Sequence, residues 1–337
     1  MSAKEKIRGF AMWLPIFAIA LMFLGTWAAA DGPVADFPGF IGFNIAKTGD
    51  VAVDKIGNVY VNVTENDQHV RIWKFTPEGE GPSVVADIGT GTAYGLAVNA
   101  EGDVYAISGG TNKGVYRVGR DGIPVRLTCT EQIFFPNGLA FDRRGNLYVT
   151  DSFGGIWRIP PGEVAEAWLQ DDLLAPIAGS TWAGANGIAI YHSDLYVLNQ
   201  DKGWIVRIPI RPDGSPGQPD VWAVIQEVPQ SPPALRSYPL RGDGLAFDVH
   251  GNVYVTMVTR AAVVRINAED LSQETIAVAG LPTDAPLFAP LAGPGMLAFG
   301  TGKGGRQSLF VTNIAPLNPS LRGLVKIDAG VPGLPLP

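Results

Sequence analysis

The chain has 337 residues, 46% hydrophobic and 17% charged, and its 42 Gly and 27 Pro make up about a fifth of it. That is apolar enough to bury a large core and too turn-rich for a coiled coil, while a collagen-like rod and a disordered acidic chain are also excluded. Lys and Arg number 25 against 32 Asp and Glu, a net charge of −7, so phosphate is repelled and no nucleic acid is expected as a partner.

Taken in chain order, Lys4, Lys6 and Arg8 come first, then an apolar run from Phe10 to Leu24, then Ala28-Ala29-Ala30 before Asp31. A basic start, an apolar middle and an A-x-A site are the layout of a secretory signal. Residues 10–30 are also long enough to cross a bilayer as a helix, so an uncleaved membrane anchor is the competing expectation. Either way the body is expected to be exported: periplasmic, secreted, or tethered through its N-terminus. The expected division is a signal or anchor over 1–30, a folded body over 31–330 and a Pro-rich tail over 331–337. The single cysteine, Cys129, allows neither an internal disulfide nor a zinc site built of thiols.

Past residue 31 one unit recurs. Val51-Ala-Val-Asp-Lys-Ile-Gly-Asn-Val-Tyr-Val is followed by Leu96-Ala-Val-Asn-Ala-Glu-Gly-Asp-Val-Tyr-Ala and Leu139-Ala-Phe-Asp-Arg-Arg-Gly-Asn-Leu-Tyr-Val. Further copies start at Ile188, Leu245 and, more loosely, Leu297. A third segment repeats independently, with Lys74, Arg117, Arg158, Arg207, Arg265 and Lys326 each set between apolar residues. The six copies start near 49, 94, 137, 186, 243 and 295. Such periods, with short β-rich segments and Gly-Asn turns, predict an all-β, six-bladed β-propeller with four-stranded antiparallel blades. The last copy runs into Gly-Val-Pro-Gly-Leu-Pro-Leu-Pro, too rich in proline for a fourth strand. The mature N-terminus, with Pro33-Val-Ala-Asp-Phe-Pro resembling the outer strand that begins at Pro82, is therefore expected to close the ring, which removes two sheet edges.

In such a blade the start of the inner strand shares a face with the connections between blades. The connections over 170–186, 226–242 and 280–294 are long, proline-rich and apolar, so that face is the expected mouth, with Trp182, Leu287, Phe288 and Leu291 as apolar lids. The one long excursion on the opposite face follows Arg211. At the mouth the inner strands place Gly49, Tyr94, Asn137, Asn186, Asp243 and Gly295. Oxygens of Asn137, Asn186 and Asp243 converging on the axis suit a hard cation such as calcium, although Asn-Gly and Asp-Gly are also ordinary turn dipeptides. Asp50 reaches the axis only through a bulge. The ends of the second strands, read as Asn62, Ser108, Asp151, Asn199, Met257 and Asn313, lie near the same mouth, and Asp151, Asn199, Asn313 and Tyr94 are candidate substrate contacts. His69 is the one histidine able to reach it, as a proton carrier. Asp54, Asp142 and Asp248 belong to turns at the far end, where capping explains them. No Ser–His–Asp order, Cys–His pair or phosphate loop is present.

Pro136-Asn137-Gly138-Leu139, Ala185-Asn186-Gly187-Ile188 and Gly242-Asp243-Gly244-Leu245 resemble the six-bladed propellers of the senescence marker protein, gluconolactonase and luciferin-regenerating enzyme group, relatives of the NHL-repeat, paraoxonase and strictosidine synthase propellers. The resemblance covers nearly all of 33–330. It implies that Asn137, Asn186 and Asp243 hold calcium or another divalent cation, with Asp50 as a further ligand, and that Asp243 assists water. The implied activity is hydrolysis of a small-molecule ester or lactone, the metal polarising the carbonyl. The family's first-blade Glu is matched here by Gly49, and the arginine that some sugar-lactonases carry before Pro-Asn is matched by Phe135, which favours an apolar substrate. No counterpart of the strictosidine synthase Glu stands beside Gly295-Met296. The alternative is a non-enzymatic NHL-type propeller that binds a ligand or protein.

Overall fold

The computed structural model describes residues 39–335 except 163, 230, 232, 280–287, 290, 303–304 and 316–318. The expected leader over 1–30 and the segment 33–38 lie outside the described residues. Six antiparallel sheets follow one another along the chain, and each consecutive pair is linked by a connection that starts a new inner strand. From the axis outward, blade one comprises Lys47–Val53, Val59–Thr64, His69–Phe75 and Ser83–Thr90. The inner strands of the other blades are Thr92–Val98, Pro136–Phe141, Ala185–Tyr191, Gly242–Phe247 and Pro294–Phe299. Blade five gains a short fifth strand, Phe288–Ala289, which runs parallel to Gln273–Ala279. In blade six the outermost strand is Phe40–Gly42, paired antiparallel with Gly323–Asp328 so that Phe40 faces Val325.

The second strand of each blade has neighbours on both faces, which is why runs such as Val59–Thr64 and Leu147–Asp151 are buried at every position. The core is accordingly divided among the seams between blades. Leu198 and Ile205 of blade four pack on Leu245 and Val255 of blade five, and Val70 and Ile72 of blade one pack on Leu96 and Val104 of blade two. At the far end the aspartates cap turns. One oxygen of Asp142 accepts the amides of Arg144 and Asn146, the other the Asn146 side chain and the Tyr148 hydroxyl, and Asp54 and Asp248 repeat the arrangement. The excursion after Arg211 is structural as well. The Gly214 carbonyl accepts from Arg158 and from the Trp168 indole of blade three.

The Pro-rich tail is docked through Gly333 and Leu334. The Gly333 amide donates to the Arg306 carbonyl and the Leu334 amide to that of Phe247, both at 2.9 Å. The Leu334 side chain joins the seam between blades four and five. Leu334 and Pro335 thus line the far end of an axial cavity of about 210 Å³, while Asp50 lines it at the mouth end.

Candidate functional site at the channel mouth

Every inner strand carries a register shift at its mouth end, between Thr48 and Val51 in blade one and between Pro136 and Leu139, Ala185 and Ile188, or Gly242 and Leu245 in blades three to five. These bulges turn Asn137, Asn186 and Asp243 toward the mouth. The following residue lies so close to the next blade that side chains are excluded. A Cβ on Gly138 would fall 2.6 Å from the Asn186 carbonyl oxygen. Four second-strand side chains then tie adjacent blades together beneath the mouth. Thr150 Oγ1 accepts the Gly138 amide and donates to the Asn186 carbonyl, both at 2.7 Å. Thr256 and Thr312 make the same links from blade five to six and from six to one. In blade one this position is Asn62, whose Oδ1 accepts the Asp50 amide at 2.6 Å and whose Nδ2 donates to the Tyr94 and Gly95 carbonyls. The reading of Asn62 as a strand end is therefore corrected: Val61 pairs with Val51 as Val149 pairs with Leu139, which puts Asn62 level with Thr150. Ile107 and Leu198 occupy the position in blades two and four.

The bulge in blade one bends Asp50 inward. Its side chain is buried, one oxygen accepting the Val51 amide at 2.6 Å and the other the Leu96 amide of the next blade at 2.9 Å. Burial outweighs those two bonds and pushes its carboxyl up to about 8. Across the mouth, Asp243 Oδ1 accepts from Asn186 Nδ2 at 2.6 Å and from Gln200 Nε2 at 3.4 Å, and its Oδ2 has no partner among the described residues. Burial raises Asp243 to about 6 against the pull of the Asn186 bond and the field of Lys47. Asn186 Oδ1 is buried without a hydrogen-bond partner. Asn137 donates to Ser152 Oγ at 3.0 Å. Asn137, Asn186, Asp243 and Asp50 thus all lie at the mouth end of the channel.

Lys47 was missed in the sequence. Its Nζ stands 4.1 Å over the Tyr94 ring and has no hydrogen-bond or ion-pair partner among the described residues. Burial lowers its ammonium to about 8, with Asp243 acting in the opposite sense. The legible signal was positional. In the strand register Lys47 is level with Phe135, and Arg241 is the other cation at that level. Arg241 is committed elsewhere, bonding Asp201 at 2.8 Å and stacking on Trp182.

The other candidates hold loops. Asp151 accepts the amides of Phe134, Phe135 and Phe153. Asn199 donates to the Leu173 and Ala175 carbonyls, and Asn313 Oδ1 accepts the Ala292 amide. Their contribution to a site is to fix the connections that form its rim. His69 pairs with Asp87 at 3.0 Å in an exposed cluster with Arg71. Leu291 is a core residue, only 3% exposed, because it fills the seam between blades five and six; Leu287 lies outside the described residues. Trp182 is exposed at the rim. An aromatic wall runs outward from Tyr94, with Phe135 5.2 Å away edge-on, Phe153 beyond it, and Phe134 5.0 Å from Phe153.

Blade one offers a resident calcium ion no free ligand. Calcium takes six to eight oxygen ligands, yet both Asp50 oxygens are used by amides and a Cβ on Gly49 would collide with Asn62 Oδ1. Asp243 already lies in the field of the Lys47 ammonium.

Neither a family model nor a curated relative matches the sequence. Solved structures do match in fold. A structural-genomics target assigned as a gluconolactonase aligns with a TM-score of 0.61 at 16% identity, over 89% of this chain and 96% of its own. A luciferin-regenerating enzyme aligns at 0.60 with 14% identity over 87% and 94%. Regucalcin of Agrobacterium tumefaciens, described as a calcium-binding protein, aligns at 0.60 with 14% identity over 88% and 95%. The resemblance read from the Asn-Gly and Asp-Gly motifs thus holds at the level of architecture: this chain folds as the six-bladed propeller of gluconolactonase, luciferin-regenerating enzyme and regucalcin structures.

Proposed function

We propose that the channel mouth is the active site of a hydrolase acting on lactones or related esters with an apolar part. The observation that carries this is Asp243: a half-buried carboxylate fixed through one oxygen by Asn186 and Gln200, its second oxygen unpaired among the described residues. A carboxylate raised to about 6 is poised as a general base at neutral pH. The fold neighbours support the substrate class, and the aromatic wall from Tyr94 to Phe134 supports an apolar substituent over a polyhydroxylated one. Calcium dependence, expected from the sequence, requires the ion to share Asp243 with Lys47.

The test is turnover of a panel of lactones and aryl esters by the body of the protein. Asp243→Asn keeps the shape and is expected to lower kcat/KM by about 100-fold or more. A panel without turnover, together with an intact bound ligand or partner, would instead establish the non-enzymatic propeller. Export is part of the proposal, resting on the leader over residues 1–30. Fractionation with N-terminal sequencing tests it, and Asp31 as the first residue is the expected result.

A further inference from the structure

The positive charge at this mouth belongs to the protein itself. Lys47 brings its Nζ to 4.1 Å from the Tyr94 ring, and among the described residues no acceptor takes its protons. Asp243 lies within its field, and two acceptors at the same mouth have no donor among the described residues: the second oxygen of Asp243, and Asn186 Oδ1, which is buried with no partner. Blade one leaves no alternative. An acid at position 49 would meet Asn62 Oδ1, and Asn62 cannot give way because three bonds to Asp50, Tyr94 and Gly95 hold it.

We propose that the Lys47 ammonium takes the place of a divalent cation in this channel and, given the hydrolase reading above, is the group that stabilises the oxyanion. Water attacks the carbonyl carbon as Asp243 takes its proton. The tetrahedral oxyanion forms beside Lys47, and the carbon–oxygen bond to the alkoxy group breaks as that group takes the proton back from Asp243. Atoms and charge balance without a metal or a co-reactant. The unpaired Asn186 oxygen is left to accept from the attacking water or from a substrate hydroxyl.

Calorimetric titration of the chelator-stripped protein with calcium chloride tests the first half without any substrate. Wild type is expected to show no saturable binding up to about 1 mM, a range in which weak extracellular calcium sites already fill. Lys47→Gln, relieved of the repelling charge, is expected to bind at least about tenfold tighter. Micromolar one-site binding by wild type that Asp243→Asn abolishes would overturn the proposal, as would a Lys47→Gln protein that binds no better than wild type. Lys47→Met serves if the glutamine variant fails to fold. The second half is read on the ester and lactone panel. Chelated wild type keeps its activity, Lys47→Met loses about 100-fold in kcat/KM, and Lys47→Arg recovers part of the loss. Activity restored only by calcium would overturn it. If the whole panel is inert, the hydrolase reading fails while the calorimetry still decides which cation the site uses.

Discussion

In the proposed hydrolase, Asp243 would link catalysis to stability through its proton. Its folded value near 6 lies above the unfolded 3.8, so folding favours the protonated form. The stability it contributes is complete below about pH 4 and is lost as pH rises through 6. Asp243→Asn removes that loss. Relative to wild type, its thermal midpoint is expected to rise between pH 4 and pH 8 by a few degrees, a shift on the order of 2 kcal/mol. A midpoint difference that stays flat with pH would contradict this assignment. Turnover should move the opposite way, falling below about pH 6 as the base is protonated. Asn137, Asn186 and Asp243 were legible in the sequence because each precedes a glycine at the same point of a repeated unit. Lys47 was not, because repetition exposes what blades share, and Lys47 matters for what only blade one has.

At the scale of the strand, each inner strand is held by a side chain of its neighbour. Thr150 satisfies one amide and one carbonyl on two different blades. Thr150→Val keeps the volume and leaves both groups buried without a partner, an expected cost of about 2–4 kcal/mol, measurable by denaturant unfolding; a cost under 1 kcal/mol would mean that water replaces the hydroxyl. The Thr at this position was visible in the repeat as Thr150, Thr256 and Thr312. Its bridging role was not, since it depends on how closely the blades approach. The tail gives the second prediction at this scale. Ending the chain after Pro332 removes the bonds of Gly333 and Leu334 and the apolar cover at the far end of the channel. About 1–3 kcal/mol of stability should be lost, and a dye too large to pass the mouth should enter the opened channel.

For the whole molecule, the period of the repeat was enough to settle blade number and strand order, because a strand buried on both faces reads as an unbroken apolar run. What the period could not show is which residues of the loops are occupied by the loops themselves, as Asp151 and Asn199 are. One asymmetry of the ring reaches further. Four junctions carry a polar bridge beneath the mouth, whereas Ile107 and Leu198 leave the junctions from blade two to three and from four to five without one. In this layer of bridges the ring is thus two arcs, blades three and four forming the shorter. One of their boundaries falls between Asn186 and Asp243, so the 2.6 Å bond between those two residues also acts as a clasp across a seam. Breathing of the propeller, followed by amide hydrogen exchange, should start at these two seams, and neutralising Asp243 should quicken exchange along Ala185–Tyr191 before it does so elsewhere. A ligand that grips both sides of the seam would then close the arcs on itself, making rigidity a reporter of occupancy.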